Sequence, residues 1–230
     1  MYLTWKEKTI TDFSDKNIEA IYNEGYVFTR LGKGMMNQTR ILRIDLNQFK
    51  LSSENKRILK KTEDLSLFVA PIPYDNYDWA IHKMGKEFYE HKFGAKTFSA
   101  QKIKELITDR NKSNFNRLFI YYKSGENLGY CITLETADIL HYCYPFYNLE
   151  SNYPNLGMGM MLKAVMWAQE NNKKYIYLGS AQRPADTYKL QFSGLEWFDG
   201  EKWSEDTTEL KKLLTVIPAT SGNPDNSNGY

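Results

Sequence analysis

The chain has little with which to hold a metal or cross-link itself: three histidines and two cysteines in 230 residues. His82, His91 and His141 share no metal-ligand spacing with Cys131 and Cys143, so no metal site is expected. The two cysteines stand in strand-like segments among aromatic and β-branched neighbours and read as reduced core thiols, with a disulfide as the alternative. Long hydrophobic runs are missing too. No stretch of about 18 apolar residues occurs, which argues against a membrane-spanning helix. The opening residues, Met1-Tyr2-Leu3-Thr4-Trp5-Lys6-Glu7-Lys8, lack the apolar stretch of a secretory signal, and a cytoplasmic location is expected. What is present is ample core material: 42% hydrophobic and 15% aromatic residues, enough for one large domain or two small ones.

Excess charge of one sign is absent overall, at a net +2, but not locally. Between Arg30 and Lys61, nine basic residues (Arg30, Lys33, Arg40, Arg43, Lys50, Lys56, Arg57, Lys60 and Lys61) face only Asp45 and Glu54, a local +7. Between Glu196 and Glu209, six acidic residues face Lys202 alone. A basic end on a nearly neutral chain fits a polyanionic partner; a solvated helix face is the alternative.

Periodicity and turn residues set out the elements. Ser14 caps a helix over 14–22 that Gly25 stops. Tyr26 to Arg30 and Thr39 to Asp45 read as strands joined through Gly32-Lys33-Gly34. Ser52-Ser53-Glu54-Asn55 opens a basic helix to about Lys61, and Leu65 to Pro71 is extended, ended by Pro71 and Pro73. Trp79 to Lys92 and Ser99 to Thr108 repeat at helical spacing, the second with Ile103, Leu106 and Ile107 as its buried stripe. Leu118 to Lys123 and Leu128 to Leu134 form a hairpin about Ser124-Gly125-Glu126-Asn127. Ile139 to Tyr147 is a third strand; Pro145 within it must sit at an edge or a bulge, since it cannot donate a ladder hydrogen bond.

The stretch from Tyr144 to Lys189 carries the functional signal. An aromatic strand end (Tyr144-Pro145-Phe146-Tyr147) leads to a glycine turn (Asn155-Leu156-Gly157-Met158-Gly159) and a helix from Met160 to about Asn171. A strand, Tyr175 to Leu178, and Gly179 follow. Strand, glycine turn, helix and strand is how an N-acyltransferase of the acyl-CoA type holds its donor. Unpaired N–H groups at a helix N-terminus suit phosphate, and Gly157 and Gly159 would let a ligand approach the backbone. The usual turn carries Gln or Arg where this chain has Pro154, and a plain loop needing positive φ is the other reading. Beyond it, Asp186 caps a short helix through about Phe192, Asp199-Gly200 centres a hairpin, and Thr208 to Thr215 closes the chain helically. The expected fold is α+β: a GNAT-type mixed, mainly antiparallel sheet flanked by helices over 74–218. A small basic α/β unit over 1–73 precedes it, and a disordered tail over 219–230 follows.

The residues resemble a known family. Lys174-Tyr175-Ile176-Tyr177-Leu178-Gly179, then Asp186-Thr187-Tyr188-Lys189-Leu190-Gln191-Phe192 and Gly194-Leu195-Glu196-Trp197, are similar to the C-terminal part of the arginyl/leucyl-tRNA–protein transferases. Members show Tyr-Leu-Gly, then Tyr-Lys, then Phe and a Glu; Asn155-Leu156-Gly157 matches their Ser-Leu-Gly. Upstream, Leu42 to Phe49 with Ser52 to Arg57 resembles their Arg…Phe-x-x-Ser-x-x-x-x-Arg segment, so the likeness spans roughly residues 20–205. Two departures stand out. The family's N-terminal cysteines are absent, with Met36 and Thr39 where one pair would be, and the acidic motif usually read as Asp-Pro-Asp is Asn148-Leu149-Glu150.

The resemblance implies transfer of an Arg- or Leu-type aminoacyl group from charged tRNA to the α-amine of a protein or peptide. It implies no cofactor beyond that donor, and no membrane or DNA partner. Glu150 is the first candidate for base or amine positioning, with Tyr147 and Gln182 completing the expected catalytic set. Asn155, Leu156, Gly157, Gly159, Tyr188 and Lys189 are expected at the donor, and Gln182 and Arg183 at an acceptor carboxylate. Arg43, Lys56 and Arg57 are expected on tRNA phosphates. Tyr144, Phe146 and Tyr147 could stack on an adenine, although strand alternation turns half of them to the core. Two other readings stay open: a CoA-dependent N-acetyltransferase with acetyl-CoA as donor, and a non-catalytic tRNA-binding module on the same fold.

Overall fold

The computed structural model describes residues 3–216. The chain begins with β1 (Lys6–Thr9), α1 (Asp15–Asn23), β2 (Tyr26–Phe28), β3 (Met35–Gln38), β4 (Ile41–Asp45), α2 (Ser53–Lys61) and β5 (Ser66–Pro71). Next come α3 (Trp79–Phe93), α4 (Ala100–Thr108), β6 (Arg117–Lys123), β7 (Glu126–Glu135), β8 (Ile139–Tyr147), α5 (Leu156–Glu170) and β9 (Tyr175–Ser180). A 3-10 helix (Pro184–Gln191), β10 (Leu195–Phe198), β11 (Trp203–Ser204) and α6 (Thr207–Val216) complete the described residues. The expected tail over 219–230 lies outside them.

Local chemistry starts most of these elements where the sequence places them. Ser52 Oγ accepts from Asn55 N while Asn55 Oδ1 accepts from Ser52 N, a reciprocal cap on α2. Ser99 caps α4 through Lys102 N, Asp78 caps α3 through Ala80 N, and Asp206 caps α6 through Thr208 N and Glu209 N. Ser14 holds the N-cap position of α1, but its hydroxyl donates to Asp12 instead of accepting from the helix. Ser124 and Gly125 both take positive φ, the requirement of a tight turn between β6 and β7.

Two sheets form. A three-stranded antiparallel sheet runs β1-β3-β2, and an eight-stranded sheet runs β11-β10-β4-β9-β8-β7-β6-β5. Every pairing is antiparallel except β8 with β9, where α5 makes the crossover. Apolar residues of α1, α3 and α4 pack on one face of the large sheet, with Tyr22, Phe88, Ile103 and Ile107 all buried. Those of α2, α5 and α6 pack on the other, with Ile58, Leu162, Val165 and Leu210 buried. Each such side chain contributes about 1.5–3 kcal/mol on burial. This is the α+β, mainly antiparallel architecture expected.

The partition of the chain comes out differently. The strand expected over Thr39 to Asp45 is β4, which begins at Ile41 in the large sheet, and an additional strand, β3, precedes it in the small sheet and ends at Gln38. β4 lies between β10 and β9, and β5 forms the far edge against β6. The first 73 residues are therefore not a unit apart, because two of their strands are rungs of the main sheet. Pairing partners more than 100 residues away leave no mark on local periodicity.

Candidate functional site

The parallel pairing of β8 with β9 holds only at Ile139 to His141 against Tyr175 to Tyr177; beyond it the strands part. Three features of β8 drive the splay. Cys143 is an extra residue in the ladder, since Ile132 opposes Tyr144 while Thr133 opposes Tyr142. Pro145, two residues on, has no N–H to offer a neighbouring strand. Its carbonyl accepts from Tyr89 Oη of α3 at 3.1 Å. The bulge expected around Pro145 is thus present, and it opens a mouth between the C-terminal ends of β8 and β9.

The 3-10 helix folds over this mouth. Asp186 fixes it: its carboxylate accepts from Gln182 N and Arg183 N, both at 2.9 Å, and faces Arg183 Nη2 at 3.4 Å and Lys189 Nζ at 3.9 Å. Burial alone would raise the Asp186 pKa, but Lys189, the two N–H groups and Arg183 outweigh it and hold the carboxyl below its ordinary value. Asp186 sits in the third position of the helix, not at its N-cap as expected. Lys189 is buried at 8% exposure; its ammonium donates to the Ser180 carbonyl at 3.0 Å, and burial lowers its pKa. Gln191 reaches the Met158 sulfur at 3.8 Å, which ties the cover to the first turn of α5. Tyr188 is half-exposed, and burial of its hydroxyl, with the Asp186 charge, pushes its pKa up to about 12.

Aromatic rings and one cation line the rim. Tyr147 packs on Phe88 at 4.7 Å between ring centroids, and Arg183 lies 4.6 Å over Phe93, itself 42% exposed. Phe93 gave no sequence signal, because a helix-terminal Phe reads as core. Phe146 is fully buried, and Tyr144 packs between Phe98 and Phe115 at 5.3 Å each, so of the three strand-end aromatics Tyr147 alone borders the mouth.

The glycine turn is not a turn. α5 begins at Leu156, with Asn155 in the left-handed conformation and Gly159 N already donating to Asn155 O at 2.8 Å. Gly157 and Gly159 therefore lie inside the first helical turn, with negative φ. A Cβ on Gly157 would come within 3.0 Å of the Tyr147 ring, and one on Gly159 within 2.7 Å of Thr62 Cγ2 at the end of α2. Their smallness seats α5 against β8 and α2; that is packing. The Leu156 side chain is in the core, so only its backbone could serve a donor.

Other expected residues are drawn elsewhere. Gln182 is committed to the N-terminal segment: its Oε1 accepts from Leu3 N at 2.8 Å and its Nε2 donates to Thr39 Oγ1 at 2.8 Å. Arg43 is 5% exposed, paired to Glu196 at 2.5 Å, bonded to Asn23 at 2.9 Å and sandwiched between Tyr175 and Trp203. It is a structural guanidinium beyond the reach of a phosphate. Glu150 is exposed in the loop leaving β8 at the mouth end, where its N–H donates to Asn148 Oδ1. Lys56 and Arg57 are exposed on α2 with Lys60 and Lys61; Arg57 pairs with Glu54. Lys61, Lys123, Tyr153 and Pro154, with Asp64 and Glu126, line an open cleft of about 450 Å³ along the loop into α5, and Lys123 pairs with Asp64 there. Of the α2 cations, Lys61 reaches this cleft.

His141 lies beneath, bonded to Tyr22 Oη at 3.0 Å; burial, and then the Lys189 charge, lower its pKa to about 3. A ring so weakly basic stays neutral and is a poor proton acceptor near pH 7. Cys131 and Cys143 are free thiols, and burial raises both pKa values. Among the described residues no group of three or more His, Cys, Asp or Glu side chains is placed to hold a metal ion.

This geometry can be set beside known proteins. Aspartate/glutamate leucyltransferase of Xanthomonas oryzae pv. oryzae is 25% identical over 170 residues, covering 71% of this chain and 68% of that protein. The enzyme of the same name from Vibrio parahaemolyticus is 28% identical over 177 residues, covering 70% and 69%. The solved structure of L-PGS from Bacillus licheniformis overlaps at a TM-score of 0.49 and 12% identity, covering 86% of this chain and 70% of that one. That overlap is too low to speak to fold or function. The model of the family described as arginine-tRNA-protein transferase, C terminus, matches residues 73–199, the segment that runs from α3 through β8, α5, β9 and the 3-10 helix to β10. With more than half its length in that match and the whole covered mouth inside it, the chain belongs to the arginine-tRNA-protein transferase C-terminal family.

Proposed function

We propose that this protein moves an aminoacyl group from a charged tRNA to the α-amine of a protein or peptide, with the β8–β9 mouth as the place of reaction. The observation that carries the reading is the family match, which contains both splayed strands, the helix between them and the cover. The acceptor class is a chain beginning with Asp or Glu, the residues for which the bacterial relatives are named. The reaction is read as cytoplasmic and on tRNA, not DNA; no helix among the described residues is long and apolar enough to cross a membrane.

The amine must lose a proton and attack the ester carbon while N–H donors steady the oxygen. Inside the mouth Asp186 is spent on the cover and His141 is neutral. Glu150, at the mouth end of β8, is the base or amine-positioning group in this reading. Glu150→Gln is expected to lower transfer by about 100-fold or more with charged-tRNA binding retained, as loss of a general base does. Full turnover in that variant removes Glu150 from the mechanism. Tyr147 and Tyr188 offer rings to the tRNA 3′ adenine.

The tRNA arm lies along α2. Replacing Lys56, Arg57, Lys60 and Lys61 together by alanine should flatten the dependence of log affinity on log salt by about 3. All four are exposed, so the melting temperature should hold. An unchanged slope sends the tRNA elsewhere.

The donor decides the whole reading. Charged tRNA carrying a labelled amino acid and labelled acetyl-CoA are each offered with peptides of differing N-terminus. Label passing from tRNA supports it. Label passing only from acetyl-CoA makes this an acetyltransferase, and label from neither makes it a binding module.

A further inference from the structure

We propose that Arg40 is the specificity residue that receives the carboxylate side chain of the acceptor's first residue. The proposal rests on the transferase reading above.

The cations at the mouth are otherwise accounted for. Lys189 is held by Ser180 O and Asp186, and Arg183 by Asp186 and the Phe93 ring. Arg40 is different. It is half-buried, its Nε is sealed from solvent with no hydrogen-bond partner, and no carboxylate among the described residues pairs with it. Burial is the cause that lowers its pKa, with no acid to offset it. A buried N–H left without an acceptor is costly to keep, and no carboxylate among the described residues neutralises the rest of this half-buried guanidinium. An anion pairing with the part that faces solvent would supply that neutralising charge, and the planar fork suits a carboxylate.

Its place in the sheet says which anion. Arg40 directly precedes β4, and its carbonyl accepts from Ala181 N at 2.9 Å, immediately after the end of β9. Arg40 is therefore at the end of the sheet where β9 leaves β8. The order β4-β9-β8 puts it across β9 from the β8 side. The loop into α5 and the cleft along it, which Lys61 at the end of α2 helps to line, belong to that other side. A polyanionic donor held there and an acceptor held by Arg40 would approach the mouth from opposite flanks, as an amine attacking an ester requires.

Peptides beginning with Asp or Glu, and the same peptides beginning with Asn or Gln, are to be titrated into the native protein, Arg40→Gln and Arg40→Lys. Transfer from charged tRNA and charged-tRNA affinity are measured in parallel, each variant having first been shown to melt like the native chain. The native protein is expected to prefer the acidic peptides on the order of 100-fold in binding and in kcat/KM. Arg40→Gln should bring that preference to within a few-fold, and Arg40→Lys should fall between, since it keeps charge but loses the fork; it also serves if Arg40→Gln does not fold. No preference in the native protein, or a preference that survives Arg40→Gln, overturns the proposal. So does a loss confined to charged-tRNA affinity, which would make Arg40 a phosphate contact. An Arg40-dependent preference for acidic peptides without any transfer from charged tRNA would sink the transferase reading and leave this site standing.

Discussion

Arg43→Ala is expected to cost about 3–5 kcal/mol of stability, the range for breaking a buried ion pair by removing one partner. The side chains of Arg43 and Glu196 are 6% and 16% exposed, so the carboxylate left behind would have neither water nor a counter-ion. Asn23 Oδ1 would lose its donor, and Tyr175 and Trp203 would close on a cavity where the guanidinium now lies. Because Arg43 ties β4 to β10 and to the end of α1, the loss should appear as a lower urea midpoint for the whole chain. Arg43→Lys should recover only part of it, since an ammonium can pair with Glu196 but cannot lie flat between two rings. The contrary outcome is a normal midpoint with weakened charged-tRNA binding; that would restore Arg43 to the phosphate contacts suggested by its sequence context.

Asp186→Ala is expected to loosen the 3-10 helix from the mouth and to lower transfer by about 100-fold or more, the scale on which misplacement by an ångström acts. Its carboxylate holds two backbone N–H groups and faces the buried Lys189 ammonium. With it gone, Lys189 keeps only its bond to the Ser180 carbonyl, the first turn of the 3-10 helix loses its anchor, and Tyr188 is expected to leave the rim. Amide hydrogen exchange over 184–191 should accelerate while exchange in β8 and β9 stays slow. Asp186→Asn separates charge from hydrogen bonding, because both N–H groups donate to one oxygen, Oδ2, and an amide oxygen in its place can still accept them. The same clip should respond to acid. The Asp186 pKa is depressed in the folded protein, so its contribution is fully present above the unfolded value of about 4. It is lost as pH falls through the lower folded value. An acid titration should show exchange over 184–191 rising before global unfolding; simultaneous opening of the whole chain would count against a separate cover.

Where a signal rests on neighbours in the chain, it could be read directly. The reciprocal Ser52–Asn55 cap, the positive-φ Ser124-Gly125 turn, the Asp199-Gly200 hairpin and the bulge forced near Pro145 each depend on a few consecutive residues. The paired glycines show where such reading fails. Gly157 and Gly159 look like a ligand loop because close approach to a glycine backbone has the same signature whatever approaches; here the visitors are Tyr147 and Thr62. Basic residues fail likewise. Arg43, Lys56 and Arg57 are equivalent as charges in a row, yet one is in the core and two are in solvent, and only the pairing of β4 with β10 separates them.

Legible from the residues alone were the α+β class, the starts of α2, α3 and α4, the hairpin between β6 and β7, the bulge in β8 and, through the Tyr-Leu-Gly and Tyr-Lys segments, the family. Those follow from dihedral preferences, missing donors and apolar period, all local quantities. Packing settled that β4 joins the main sheet, that Asp186 faces Lys189 beside the mouth, and that Arg40 has a buried Nε without a hydrogen-bond partner and no carboxylate among the described residues to pair with. Those depend on strand partners more than 100 residues apart, and on burial. Burial turns identical side chains into a structural pair in one place and a solvated charge in another.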